Sequence, residues 1–199
     1  MNHIKVKDLK AASNSNPIIF GITKGKHIAL NSEDLDLARK TFLVAIGLLP
    51  PFSGNVKINS NVSWPIGDRR MLDAILTFND HIDFINSIYS EKITRKNFTR
   101  KSIFKVLRAR DINLNSEIRS ESPYIRNLYA HAIALLLNFD VYAFIDTKFI
   151  SSELARSKDS FISKKIMKLS KSSSMIFCNP SDIIIDSISI NVLDIKGSL

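Results

Sequence analysis

Leu48-Leu49-Pro50-Pro51-Phe52-Ser53-Gly54-Asn55-Val56, followed shortly by Val62-Ser63-Trp64-Pro65-Ile66-Gly67, is the stretch on which the reading of the fold turns. Two consecutive prolines end the helix before them, because a prolyl nitrogen donates no hydrogen bond and its ring excludes another turn. Residues 54–59 and 62–65 then read as two strands. The chain passes here from helix to strand within a few residues.

Toward the N-terminus, Leu35, Phe42, Leu43, Ile46 and Leu49 recur near helical spacing. Ser32 is the expected N-cap of that helix, with Glu33, Asp34 and Asp36 in its first turn. Before it, residues 4–9 alternate like a half-buried strand, residues 17–22 read as a second, and His27-Ile28-Ala29-Leu30 as a short buried third. Toward the C-terminus a long helix is expected over residues 71–89, then a basic segment over 92–110 and an apolar helix over 124–137. Buried strands follow at 141–145, ending at Asp146, and at Met175-Ile176-Phe177-Cys178. An amphipathic helix over 158–169 separates them, and a short element at 183–185 and a strand within 189–195 close the chain. Short buried strands alternating with helices predict an α/β architecture with a mostly parallel core sheet, to which the strand-rich N-terminus adds an antiparallel layer. Residues 1–199 read as one domain, with a helical subdomain over roughly 71–137.

Composition narrows the function. The formal charge of +9 favours anionic partners. Cys178 is the single cysteine, so an internal disulfide is excluded and a reducing compartment fits best. The first residues carry no apolar signal-like core, and no apolar run approaches the roughly 20 residues that span a bilayer. A cytoplasmic protein is expected, compatible with a peripheral place on the inner face of the inner membrane.

The opening stretch is similar to ATP-binding subunits of ABC transporters. Its Val-Ser-Trp-Pro-Ile-Gly string resembles, more narrowly, the ATPases of capsular and related surface-polysaccharide exporters. Residues 76–89 resemble that family's segment after the Q-loop, and Asn138-Phe139-Asp140 before the strand ending in Asp146 stands where its Walker B strand lies. The resemblance runs from about residue 4 to residue 180. It implies the P-loop NTPase type of fold and a dimer that sandwiches ATP between one subunit's Walker A loop and the other's signature segment.

The residues that such a site needs have changed. Walker A, Gly-x-x-x-x-Gly-Lys-Ser/Thr, wraps phosphates in backbone N–H groups, with lysine and a Mg²⁺-holding hydroxyl. Counted without a gap, Ser32 and Leu37 replace its glycines, Ala38 its lysine and Arg39 its hydroxyl residue. A two-residue slide makes Lys40-Thr41 imitate the end of the motif, without restoring the glycines. Acidic residues at the helix N-terminus repel a triphosphate and satisfy the helix dipole themselves. No adenine-stacking aromatic stands near Lys10-Ala11-Ala12, and the Q-loop glutamine falls on Asp73. The signature segment reads Ser122-Pro123-Tyr124, Thr147 follows the Walker B relic Asp146 in place of glutamate, and Asn179 stands at the switch histidine. No catalytic, cofactor-binding or metal-ligating residue is therefore expected, and no cofactor. His3, His27, His81 and His131 share no ligand spacing.

Lys92, Arg95, Lys96, Arg100, Lys101, Lys105, Arg108 and Arg110 form a run without an acid, interleaved with Phe98 and Phe104. It reads as a solvated helical face or as a contact with anions or partners. In the family this region meets the membrane permease. The resemblance thus implies a permease subunit, an ABC-ATPase partner in a homo- or heterodimer, or anionic lipid headgroups as partners; no zinc-finger or RNP-type motif supports nucleic acid. The expectation is a catalytically inactive ATPase homologue tied to polysaccharide export. Its rivals are an active but divergent ATP-binding subunit or nucleotidase using Asp146 and Lys40-Thr41, and a basic module for an anionic polymer.

Overall fold

A computed structural model describes residues 2–68, 75–89, 100–108, 112–157 and 159–197, with the side chains of residues 100 and 108 left aside. In chain order the elements are β1 (Asn2–Lys10), β2 (Ile18–Thr23), β3 (His27–Asn31), α1 (Leu35–Ala45), β4 (Ser53–Ile58), β5 (Val62–Ile66), α2 (Phe78–Ile88) and α3 (Arg100–Arg108). Then come a 3-10 turn (Ile118–Ser120), α4 (Pro123–Leu136), β6 (Val141–Phe144), α5 (Lys148–Arg156), α6 (Phe161–Ser170), β7 (Ser174–Cys178), α7 (Asp182–Ile188) and β8 (Asn191–Asp194). The strands form two sheets, an antiparallel one ordered β2-β1-β4 and a parallel one ordered β5-β6-β7-β3-β8.

The apolar runs 141–144 and 175–178 explain the parallel sheet: every residue of β6 and β7, Ser174 included, is buried, as a sheet covered on both faces requires. Successive side chains point to opposite faces. Tyr142, Phe144, Met175 and Phe177 join a core with the helices of one face. Ile28, Leu30, Ala143, Ile176 and Cys178 join the other, with α1 and the inner side chains Ile4, Val6 and Leu9 of β1.

The Ser-Trp-Pro string has a local reason. Pro65 lacks an N–H, and the β5–β6 ladder is irregular between Val62 and Pro65. There the buried Ser63 hydroxyl accepts the Ala143 N–H at 2.9 Å and donates to the Trp64 carbonyl at 2.8 Å. Trp64 packs between Tyr89 and Phe139, with ring centroids 5.5 and 5.6 Å away. Gly67, at φ +94°, closes the string: a Cβ there would stand 2.6 Å from the Asp146 carbonyl oxygen.

Several expectations need correction. The N-cap of α1 is Asp34, whose carboxylate accepts the N–H groups of Asp36 and Leu37; Ser32 lies before the cap. That helix ends before the prolines. Gly47 at φ +80° donates to Val44 and Leu48 to Leu43, a Schellman closure that a left-handed glycine makes easy. The helix expected over 71–89 is described only as α2, capped by Thr77. Helix α5 is an element that the sequence pattern does not announce, the helix expected over 158–169 is α6, and the element at 183–185 is helical.

Candidate functional site

The C-terminal ends of parallel strands are where open α/β sheets bind ligands. Here β3, β7 and the segment after β8 surround a cleft of about 740 Å³, lined by Asn31, Ser32, Glu33, Asp34, Asn179 and Asp194 among others. Its floor is the short connection from β3 to α1. Only residues 32–34 separate strand from helix, the last of them the N-cap.

Three positions far apart in sequence meet there. Asn179 follows β7 with a left-handed backbone, φ 44°, which asparagine tolerates better than most residues. Its own N–H donates to the Leu30 carbonyl at 3.0 Å. Its side chain then spans Ser32: Oδ1 accepts the Ser32 N–H at 2.8 Å, and Nδ2 donates to the Ser32 carbonyl at 2.9 Å. Thr147, buried, directs its hydroxyl to the Asn179 carbonyl at 3.5 Å. Ser32, Thr147 and Asn179, to which the resemblance assigns the start of Walker A, the Walker B glutamate and the switch histidine, are thus joined by hydrogen bonds. The two-point grip of an amide on a peptide unit escapes sequence reasoning; its signal is that asparagine carries donor and acceptor side by side.

The other residues that the resemblance sets against Walker A, Leu37 to Arg39, lie inside α1. Leu37 and Ala38 are buried. Arg39 reaches Asp68, with Nη to Oδ2 at 2.9 Å. Lys40 is exposed and Thr41 is buried, in the second turn, and neither lines the cleft. In the segment that the resemblance sets against the signature, Ser122 caps α4 by accepting the Ile125 N–H, Pro123 begins the helix, and the Tyr124 hydroxyl donates to Glu153 of α5 at 3.0 Å.

Asp146 belongs to a second, smaller hollow of about 270 Å³ with Gly67, Asn127, His131 and Lys148. Its Oδ1 accepts the Lys148 N–H at 3.1 Å. His131 is 1% exposed, and its Nδ1–H donates to the Asn127 carbonyl at 2.8 Å. Burial lowers its pKa, against the raising effects of that hydrogen bond, Asp146 and Glu153. The neutral ring leaves Nε2 buried without a hydrogen-bond partner. Burial also pushes the Cys178 thiol up to about 11, so it stays protonated and unreactive near neutrality. Among the described residues, no group of three or more His, Cys, Asp or Glu side chains is arranged to hold a metal ion.

Of the basic run, Lys101 and Lys105 are exposed on α3. Arg100 and Arg108 bound that helix, and Lys92, Arg95 and Lys96 lie outside the described residues, as does Asp73. Among the described residues no helix is long and apolar enough to cross a membrane.

No family model matches the sequence, and no curated protein matches it. Solved structures do. An ATP-binding subunit of an ABC transporter superposes with a TM-score of 0.66 at 17% identity, over 96% of this chain and 85% of that one. An ABC-transporter ATP-binding protein from Pyrococcus furiosus gives 0.64 at 15%, over 96% of each chain. A bacterial ABC transporter cassette solved as a dimer gives 0.64 at 14%, over 96% of this chain and 94% of that one. With its mostly parallel core sheet, antiparallel N-terminal layer and helical part, this chain has the α/β P-loop NTPase-like fold of ABC-transporter ATP-binding subunits.

Proposed function

We propose that this chain is a non-catalytic relative of ABC-transporter ATP-binding subunits, serving a surface-polysaccharide exporter as a structural or regulatory partner of its permease or of an intact ATPase. The observation that carries the reading is the double hydrogen bond from the Asn179 side chain to the backbone of Ser32. A phosphate site of this fold works with free backbone N–H groups in the loop and at the helix N-terminus. Here the Ser32 N–H is taken by Asn179, and those of Asp36 and Leu37 by Asp34. Three residues between strand and helix leave no room for the four-residue spacer between the motif's glycines. Glu33 and Asp34 line the cleft, and their carboxylates would repel a triphosphate there. A millimolar-to-micromolar ligand binds with about 4–8 kcal/mol. Without two or three charge-assisted hydrogen bonds, at about 1.5–3 kcal/mol each, most of that binding energy disappears. The residues present do not fit Mg-ATP.

With both halves of the sandwich changed, pairing with an intact ATPase completes neither composite site, which favours a structural over a catalytic role. The Val62–Gly67 string supports the export subgroup, and exposed Lys101 and Lys105 suit a permease or headgroup contact. The nucleotidase reading needs Lys40-Thr41 at the phosphates, whereas neither lines the cleft. The test is phosphate release from Mg-ATP by the purified chain and by D146A, together with nucleotide-free co-elution with the ATPase and permease of such an exporter. Background hydrolysis by both proteins, with co-elution, supports the proposal. Turnover abolished by D146A overturns it in favour of a divergent enzyme, and salt-sensitive binding to acidic polysaccharide without co-elution favours the basic module.

A further inference from the structure

We propose that the outer face of the antiparallel sheet and the adjoining loop over residues 46–52 form a docking surface for an anionic lipid bilayer. The first observation is charge. Lys5 of β1 stands directly opposite Lys57 of β4, and Lys7 stands opposite Asn55; all three lysines are exposed. Like charges directly opposite in a sheet repel. Among the described residues none of the three makes an ion pair, although Asp8 follows Lys7 on the same strand. These lysines therefore form a positive face to which no acid among the described residues is ion-paired.

The second observation is independent of charge. The loop after α1 holds Leu48, Leu49 and Phe52 at 55%, 40% and 64% exposure, around the exposed Pro50-Pro51. The Phe52 N–H donates to the Lys10 carbonyl at 2.9 Å, which fixes this loop to the end of the β1–β4 ladder. Ile19, on the neighbouring strand β2, is 66% exposed. Large apolar side chains bordered by lysines match the headgroup–acyl boundary, where apolar groups enter and cationic ones meet phosphates. A nucleic acid in solution would engage the lysines and leave the leucines in water. The surface lies apart from the strand-end cleft and stands whether or not that site binds nucleotide.

The test is co-sedimentation of the full chain with vesicles of phosphatidylcholine alone and with one third phosphatidylglycerol. Binding is expected only to the anionic vesicles and falls with salt. Each lysine at an anionic surface contributes about a five-fold factor, so K5Q/K7Q/K57Q lowers partitioning about 100-fold. These substitutions relieve repulsion, so the thermal midpoint should hold or rise, separating lost binding from lost folding. L48S/L49S/F52S lowers partitioning by roughly ten-fold or more, and the emission of F52W shifts to the blue on anionic vesicles alone. Unchanged binding in both triple variants overturns the proposal. So does a loss confined to K101Q/K105Q, which would place the contact on α3, or binding to single-stranded RNA with none to vesicles.

Discussion

Replacing Asn179 tests the strand-end cluster directly, because its side-chain bonds and its backbone conformation can be separated. Asn179→Gly removes both hydrogen bonds to Ser32 while suiting the left-handed backbone at φ 44°. Two part-buried bonds at about 1 kcal/mol each predict a loss of about 2 kcal/mol. Asn179→Ala loses the same bonds and adds about 1 kcal/mol for a Cβ in that region, for a total of about 3 kcal/mol. For a chain of this size each kcal/mol lowers the thermal midpoint by about 2–4 °C, so midpoints fall by roughly 4–8 °C and 6–12 °C. Asn179→Asp keeps an acceptor for the Ser32 N–H but sets a carboxylate against the Ser32 carbonyl, and should fall below the parent as well. Urea unfolding followed by circular dichroism measures all three. If glycine and alanine variants both lie within about half a kcal/mol of the parent, the double bond does not hold the loop and the reasoning fails.

Asp34→Ala opens the N-cap of α1 and should cost about 1 kcal/mol in the same assay. Ser63→Ala leaves the Ala143 N–H unpaired in the buried β5–β6 ladder, a cost of about 1–3 kcal/mol, whereas Ser63→Thr keeps the hydroxyl and should recover much of it. Burial lowers the pKa of His27 and His131, so the unfolded chain binds more protons below about pH 6.5. Their stabilising contribution is complete above that pH and is lost as pH falls toward the folded-state values, at no more than about 1.4 kcal/mol per pH unit for each. Unfolding curves between pH 7.5 and 5.5 should show the decline, and it should be shallower in His131→Phe.

The buried strands are legible in the sequence because they are short, fully apolar and bounded by turn residues, and their alternation with helices points to the parallel sheet. Helix α5 is not legible: Ser151, Ser152 and Glu153 break its apolar period, and Glu153 is buried against the Tyr124 hydroxyl, a partner far away in sequence. The start of α1 is ambiguous because Ser32 and Asp34 are both capping residues, and only the path out of β3 selects between them. Its end is ambiguous because the prolines are strong stop signals, yet Gly47 closes the helix before they are reached. At the cleft, the resemblance singles out Ser32 and Asn179 separately, but the grip of Asn179 on Ser32 joins residues 147 apart in the chain and becomes visible only in the fold.

Calorimetric titration of the purified chain with Mg-ATP, beside an intact ABC-transporter ATPase, tests the central claim most directly. The account predicts no saturable heat and no thermal shift at millimolar nucleotide, in the parent and in Asn179→Gly alike, because Asp34 and the short loop remain. Saturable binding in the micromolar range would contradict it, and would mean that the strand-end cleft still cradles phosphate.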